Sequence, residues 1–296
     1  MRPSVAVAIV NWNTSDVAGD AAAAYLASTG VDVRVTIVDN HSSAEQRERL
    51  KATAPPRASV VWGERNRGYG WAVNSVLNAS RAQVVCASNA DVLVDPEMLS
   101  RLAAVVLSDQ RIGVAAPCFA GSSSRYHARL PRGSSLPVRA LIGGWGHRTV
   151  ADLPTATVQT VDQPGGACLL LRSDTWRAVG GFDTGFFLWF EDVDLARRLV
   201  DSGHRNVVVG DARAHHQGAR SFVQMDRRLK HAIRLRSLTR YVAKHHPRLL
   251  PVTRLTAGLA RATRVRSRAL AAEARALDLQ VGAPGEAVPS NAPRKS

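Results

Sequence analysis

The chain has 296 residues, of which 45% are hydrophobic, so it can bury a large core, and disorder throughout is excluded. Its 39 Lys and Arg outnumber its 24 Asp and Glu, and the net charge of +15 favours phosphate-bearing partners such as nucleotides, anionic lipids or nucleic acid without choosing among them. Three cysteines in apolar, strand-like runs predict reduced thiols with no disulfide and no zinc site. We expect no secretory signal, and no apolar stretch reaches the ~20 residues that span a membrane, so we expect a cytoplasmic protein that is soluble or peripheral.

The first hundred residues alternate between short β-branched runs and helical stretches. The strand-like runs cover residues 5–10, 33–38, 59–62 and 84–88, and helical patterns occur near 15–28, 43–53, 70–80 and 96–108. This alternation predicts an α/β fold with a mostly parallel, twisted sheet flanked by helices. Ligands of such sheets bind beyond the carboxyl ends of the strands, so the residues that end each strand are the candidate site residues.

A segment without periodicity, residues 119–163, follows and is predicted to be a functional lid or binding loop. Order resumes with an apolar strand at 165–171, a helix capped by Ser173, a helix over 191–202 and a strand at 207–209. The sequence after His215 is rich in Lys and Arg, and its pattern predicts one or two amphipathic helices. A second basic helix is predicted near 253–277, followed by a disordered end.

Three carboxylates, Glu191, Asp192 and Asp194, follow an aromatic run and share one predicted helical turn. The helix dipole and the free amides at that end favour ionised acids. An ionised carboxylate beside apolar walls can accept a proton from a substrate hydroxyl or bind a metal complex. The alternative is an acidic first turn that merely caps the helix.

The strand ends carry four further candidates. Asp39 suits the recognition of a ribose or base edge, or else it caps the next helix. Asp91 can share a hard divalent cation with substrate phosphates, or it is a turn residue before a helix that Pro96 begins. His215 and His216 follow a strand and are metal ligands, phosphate donors or packed surface residues.

The fourth candidate is the loop that leads into the third helix. Gly68 and Gly70 allow backbone amides to approach a phosphate at the positive end of that helix, and Arg67 adds a cation there. A plain turn is the alternative.

In their order, these sites resemble the family 2 glycosyltransferases of the GT-A fold. The resemblance covers about residues 4–222. It rests on Asn-Trp-Asn after the first strand, Val-Asp-Asn-x-Ser at 38–42, Asn-x-Gly-Tyr-Gly-x-x-x-Asn at 66–74, Asn-Ala-Asp at 89–91, Gly-Gly-Phe-Asp and Glu-Asp-Val-Asp within 180–194, and His-x-x-Gly at 215–218.

The resemblance implies a role for each candidate. Asp192 is the general base, and Glu191 supports it. Asp91 and His215 hold Mg²⁺ or Mn²⁺, although His216 fits the same register; Asn89 replaces the first aspartate of the common metal motif and leaves one strong ligand. The residues implied in nucleotide-sugar binding are Asn11, Asn13, Asp39, Asn66, Arg67, Gly68, Gly70, Asn74 and Asn89. The acceptor side is implied to contain Gly165, Gly166 and Trp189.

The motif variants are most similar to those of bacterial rhamnosyltransferases, which implies dTDP-L-rhamnose as donor, inversion at the sugar, and a glycan or polyprenyl-diphosphate-linked acceptor in cell-wall or polysaccharide synthesis. Galactosyl, glucosyl or mannosyl donors are alternatives. So is a non-catalytic scaffold that binds nucleic acid or membrane, although stacking aromatics are not interleaved with the basic run.

The resemblance also divides the chain into a catalytic domain (1–222), a basic helical appendage (223–278) and a disordered tail (279–296). The basic helices either contact the inner face of an anionic plasma membrane or pack on the catalytic domain.

Overall fold

The computed structural model describes residues 2–119, 157–217, 225–251 and 253–254. Most of the predicted lid segment, most of the second basic helix and the whole predicted tail lie outside the described residues. No helix in the described part of the chain is long and apolar enough to cross a membrane.

The described residues form one sheet of nine strands. The strands are β1 (Ser4–Asn11), β2 (Asp32–Asp39), β3 (Ser59–Trp62), β4 (Val84–Asn89), β5 (Val92–Val94), β6 (Ile112–Phe119), β7 (Val158–Val161), β8 (Cys168–Arg172) and β9 (Arg205–His216). They lie in the order β3-β2-β1-β4-β8-β6-β9-β5, and β7 pairs with β9.

The sheet contains both parallel and antiparallel pairs, and most of its paired residues are in parallel pairs. The first four strands are parallel, as the alternation with helices predicts. Beyond them β8 is antiparallel to both β4 and β6, and β9 is parallel to β6 but antiparallel to β5 and β7. The short β5 is part of an edge that the sequence pattern does not predict.

Helices cover both faces of the sheet. They are α1 (Ser15–Leu26), α2 (Ala44–Thr53), α3 (Tyr69–Leu77), α4 (Met98–Ser108), α5 (Ser173–Val179), α6 (Glu191–Asp201) and α7 (Arg227–His245), followed by a 3₁₀ turn (Pro247–Leu249). On one face α1, α2 and α4 bury residues such as Tyr25 and Leu102, and on the other face α3, α5 and α6 bury Leu77, Trp176 and Leu199. Pro96 lies in a turn before α4 instead of beginning that helix.

The three cysteines lie in β4, β6 and β8 and are buried free thiols. The strand-like runs around them were correctly interpreted.

Strand direction brings the candidate residues to one edge of the sheet. Asn11 pairs with Asp39, and Val10 pairs with Asn89, so β1, β2 and β4 end side by side. Because β8 runs the other way, it begins at the same edge, where the Asn89 N–H donates to the Ala167 carbonyl at 2.9 Å. This common edge is called the rim below.

The helix α7 packs on the main domain. Leu238, Tyr241 and Val242 are buried against Phe186 and Phe190, in the aromatic run before α6. The apolar side of α7 is therefore covered by protein and is not available to insert into a membrane. Of the two interpretations of the basic helices, the structure supports packing for residues 227–245.

Ion pairs fix α7 to the acidic segment. Asp194, the third acid of the cluster, has a fully buried side chain that contacts Arg198 Nε at 2.8 Å, Lys244 Nζ at 2.7 Å and His245 Nε2 at 2.7 Å. Burial opposes its charge, but the His245 hydrogen bond and the Arg198 charge outweigh burial and lower the pKa of Asp194 to about 2. Asp194 is therefore a structural anchor rather than a catalytic acid.

We expect Asp194→Asn to lower the free energy of unfolding at pH 7 by about 3 kcal/mol, because the change leaves cations of α6 and α7 without their counter-charge. The control is Asp201→Asn in the same helix, which removes an exposed pair with Arg197 and should cost less than about 0.5 kcal/mol. Urea unfolding measures both.

The sign of the pH dependence follows from the lowered pKa of Asp194. Its contribution to stability is present above about pH 4 and is lost as the pH falls toward 2. Equal losses of stability in the two variants would contradict the role of Asp194 as an anchor.

Candidate active site

The acid pair Glu191 and Asp192 begins α6, as predicted, at a strained turn. Trp189 and Phe190, directly before it, have φ angles of +63° and +70°, in the left-handed region that bulky residues rarely adopt. The Phe190 carbonyl accepts a hydrogen bond from the Asp194 N–H at 2.8 Å, which ties the turn to the helix. Such strain persists only where the surrounding packing enforces it, and it is common at functional sites.

Asp192 is partly exposed and faces the start of β8. Its Oδ1 accepts from the Val193 N–H at 2.9 Å, and its Oδ2 accepts from Gln163 Nε2 at 3.3 Å. A Cβ atom on Gly166 would lie 2.8 Å from Asp192 Cγ, so only glycine fits there without displacing the carboxylate. Burial raises the pKa of Asp192, while these hydrogen bonds favour its ionised form.

Glu191 has a different environment from its neighbour. It is 7% exposed, and its Oε2 has no hydrogen-bond partner among the described residues. Burial, and then the charge of Asp192, raise the pKa of Glu191 to about 8. The expectation that the helix end keeps all three acids ionised is therefore wrong for Glu191, because desolvation outweighs the dipole.

Where β1 and β2 end at the rim, Asp39 is fully buried. Its carboxylate accepts hydrogen bonds from Asn11 Nδ2 at 3.0 Å, from the Ser42 N–H at 3.1 Å and from Arg47 Nε at 2.9 Å. The cap of α2 is Ser43, which excludes the alternative that Asp39 caps this helix.

The asparagines of this region also make internal contacts. Asn11 Oδ1 accepts from Thr14, and Asn13 Oδ1 accepts from the Ser43 N–H at 2.8 Å. Together with Asp39 they join the loops after β1 and β2, so they shape the rim. Any direct contact of these side chains with a ligand stays a prediction.

The glycines before α3 allow close packing of two chain segments. Gly68 has φ +90°, and a Cβ there would lie 2.8 Å from Phe187 Cα; a Cβ on Gly70 would lie 2.8 Å from Phe182 Cβ. The Tyr69 N–H donates to the Phe187 carbonyl at 3.0 Å, and the Gly68 N–H donates to Asn66 Oδ1 at 3.0 Å. These two amides are therefore occupied by protein, and phosphate binding by the remainder of the loop stays a prediction.

Asn74 contacts the aromatic run. Its Nδ2 donates to the Phe182 carbonyl at 2.8 Å and its Oδ1 accepts from the Phe182 N–H at 3.0 Å. This buried amide therefore positions the aromatic run, and a direct contact of Asn74 with a nucleotide stays a prediction. Arg67 stacks on Trp71, with Cζ 4.7 Å from the ring centre.

At the other end of the rim, Asp91 pairs with His216. Their Oδ1 and Nε2 atoms are 3.1 Å apart, and both side chains are largely buried. His215 is exposed, because neighbouring residues of β9 point to opposite sides of the sheet. The structure thus places His216, the alternative histidine, beside Asp91, and Asn89 is partly exposed; a metal role for either histidine stays a prediction.

This pair fits a divalent cation in its chemistry. A carboxylate oxygen and an imidazole nitrogen suit Mn²⁺, and Mg²⁺ is typically held by one or two carboxylates together with substrate phosphates. Within the described ranges no group of three His, Cys, Asp or Glu side chains could hold a metal ion. A cation held by Asp91 and His216 would therefore take its further ligands from outside these described side chains.

The predicted acceptor residues lie on two sides of the acid pair. Gly166 contacts Asp192, the buried Gly165 precedes it, and Trp189 packs partly buried in a cluster with Phe187 and Met225. Sequence reasoning missed Gln163 and Arg47, which contact Asp192 and Asp39. Neither has a motif around it that would single it out.

Similarity to known proteins agrees with this geometry. A model of the family described as "Glycosyltransferase like family 2" matches residues 3–234. The N-acetylglucosaminyl-diphospho-decaprenol L-rhamnosyltransferase of Mycobacterium tuberculosis is 28% identical over 218 residues, which cover 64% of this chain and 68% of that protein. The succinoglycan biosynthesis protein ExoO of Rhizobium meliloti is 31% identical over 100 residues, or 34% of this chain and 29% of that protein.

Solved structures are similar in fold. The mannosyltransferase PcManGT from Pyrobaculum calidifontis, in complex with GDP-Man and Mn²⁺, has a TM-score of 0.56 and 17% identity over 96% of this chain and 82% of that one. GalNAc-T7 with UDP, GalNAc and Mn²⁺ has a TM-score of 0.55 and 16% identity over 81% and 48% of the two chains.

We expect Gly68→Ala to lower the free energy of unfolding by about 3 kcal/mol, since it combines a backbone region that only glycine favours with a clash against the Phe187 backbone. The matched control is Gly180→Ala, at φ +77° with no atom within 4 Å, which should cost about 1 kcal/mol. Urea unfolding gives the difference, and equal losses would argue against close packing at Gly68.

Proposed function

The chain belongs to glycosyltransferase family 2 and is a transferase with the GT-A fold; from this premise we propose that it moves L-rhamnose from dTDP-L-rhamnose to a hydroxyl of a glycan or polyprenyl-diphosphate-linked acceptor. The observation that carries the catalytic part is Asp192, a partly exposed carboxylate held by hydrogen bonds at the rim. The mycobacterial relative, at 28% identity, supports the choice of donor sugar and of acceptor. The product would belong to bacterial cell-wall or polysaccharide synthesis.

The proposed reaction is a single displacement. Asp192 accepts the proton of the acceptor hydroxyl, and the oxygen attacks the anomeric carbon of the sugar. The bond from that carbon to the nucleoside diphosphate breaks as the new bond forms on the opposite face, so the configuration inverts. The carboxylate suits this task because Val193 and Gln163 fix its orientation, while its partial exposure leaves it open to the acceptor.

The diphosphate binds, in this proposal, between Asp91 and the loop that carries Arg67. Asp91 and His216 would hold Mg²⁺ or Mn²⁺, which neutralises charge on the departing diphosphate when bound. The solved relatives PcManGT and GalNAc-T7 contain Mn²⁺, which supports this assignment. Asp39 and the side chains around it hold the loops that would enclose the nucleoside.

We expect Asp192→Asn to reduce transfer at least about 100-fold while donor binding is retained, because the amide keeps the shape of the carboxylate but cannot take up the proton. The measurement is release of nucleoside diphosphate from a panel of rhamnosyl, galactosyl, glucosyl and mannosyl donors with acceptor present, together with thermal shift for donor binding. Asp201→Asn is the control.

Transfer that persists in Asp192→Asn would contradict the assignment of the base. Wild type that binds nucleic acid strongly and no nucleotide sugar would favour the non-catalytic alternative.

Metal dependence should separate the two histidines. His216→Ala and Asp91→Ala should weaken Mn²⁺-dependent donor binding at least about tenfold, since each removes one of the two candidate ligands. His215→Ala, the neighbouring exposed residue, should leave that binding unchanged. Titration of the donor at fixed Mn²⁺, with and without chelator, measures the effect; a larger loss in His215→Ala than in His216→Ala would reverse the assignment.

A further inference from the structure

We propose that Gln163 determines which member of the Glu191–Asp192 pair carries the negative charge, and so acts as a positioning residue for the base Asp192. The inference rests on the proposed function, in which Asp192 accepts the proton of the acceptor. It assigns a role in the reaction to a side chain that no motif of the sequence identifies.

The carboxyl groups of Glu191 and Asp192 hold one proton between them near neutral pH. They are consecutive residues at the start of α6, and neither forms an ion pair with any described residue. Glu191 is 7% exposed with Oε2 unpartnered among the described residues. Two adjacent carboxylates without a cation, one of them removed from water, cannot both ionise without a large energetic cost.

The hydrogen-bond donors are distributed unequally between Asp192 and Glu191. Asp192 receives the Val193 N–H on Oδ1 and the Gln163 amide on Oδ2, and the backbone of Gly166 also donates to it. Among the described residues, Glu191 receives one backbone hydrogen bond, and no group donates to its Oε2. Donors stabilise the charged form of an acid, so the charge resides on Asp192 and the proton on Glu191.

Gln163 differs from the other donors to Asp192. It supplies the one described side-chain hydrogen bond to Asp192, whereas the other donors are backbone amides. Gln163 is itself 8% exposed, so its amide is fixed by packing and does not exchange freely with water. It lies three residues before Gly166, which is in close contact with Asp192, so the chain between them is short.

Another titratable group also faces the pair from α3. The buried Tyr69 hydroxyl has no partner in the described residues, and burial and then the charge of Glu191 raise its pKa, so it stays neutral. A neutral phenol does not compete with Gln163 in setting the charge. From the segment before β8, Gln163 and Gly166 face Asp192, and neither of them titrates.

The pH profile of kcat/KM tests the inference. In Gln163→Leu the acidic limb should move up by about one pH unit, which means about tenfold less transfer on that limb, with a smaller loss at alkaline pH. Gln163→Glu, of nearly the same shape, should move it further in the same direction because it adds a negative charge. Glu191→Gln should leave the acidic limb in place, since Glu191 is still uncharged when Asp192 ionises.

Two controls make the outcome decisive. Gln159→Leu makes the same chemical change in β7, away from the acid pair, and should leave the profile unchanged. If Gln163 only stabilised the loop, its variants would lower transfer equally at every pH. An acidic limb that stays in place in both Gln163 variants would overturn the proposal. A downward shift in Glu191→Gln would also overturn it, because it would show that Glu191 had carried the charge.

A second readout does not depend on transfer. Carbon-13 NMR of the side-chain carboxyls follows the ionisation of Asp192 and Glu191 directly in wild type and in Gln163→Leu. A rise in the pKa of Asp192 in the variant supports the inference even if no donor is turned over, in which case the proposed function alone fails. An unchanged pKa of Asp192 refutes the role of Gln163 whatever the activity.

Discussion

The structure depends on close packing between the aromatic run before α6 and the start of α3. Gly68 and Gly70 leave room for the backbone of Phe187 and the side chain of Phe182, and Asn74 holds the Phe182 backbone in both directions. Because α6 follows this run directly, the packing fixes where the acid pair enters the rim. On its other side the run is covered by α7, so it is held between two helices.

Three acids within one helical turn meet three different environments. Asp194 is buried among cations and keeps its charge. Glu191 is buried, its Oε2 has no partner within the described ranges, and burial favours its protonated form. Asp192 is partly exposed and hydrogen-bonded at the rim. Their positions on the helix are nearly equivalent relative to its dipole. The differences therefore come from tertiary neighbours, which are worth more than the field of the helix end.

The sequence predicts β1 to β4 within one residue at each end, because alternation of strands and helices is a local pattern. It indicates an apolar, strand-like run around Cys118 but not the bounds of β6. The eight residues of β6 are all buried and include Pro117, so the run has neither alternation nor an uninterrupted β pattern. The same limit applies to the site. The motifs locate the rim, but the partner of Asn74 is 108 residues away in sequence, and the register that favours His216 over His215 depends on the pairing of β9 with β5.

The contacts of α7 also determine how far the chain can be shortened. A version ending at residue 222 would keep Asp183 and Asp194 but lose Arg240, Lys244 and His245, and it would uncover the rings of Phe186 and Phe190. Without these cations, Asp183 and Asp194 would be buried charges with fewer partners, and they would become protonated or hydrated at the start of α6. We therefore expect a stable fragment to need the residues up to His245, beyond the limit of the family match at residue 234. Fragments that stop earlier should have a less stable start of α6.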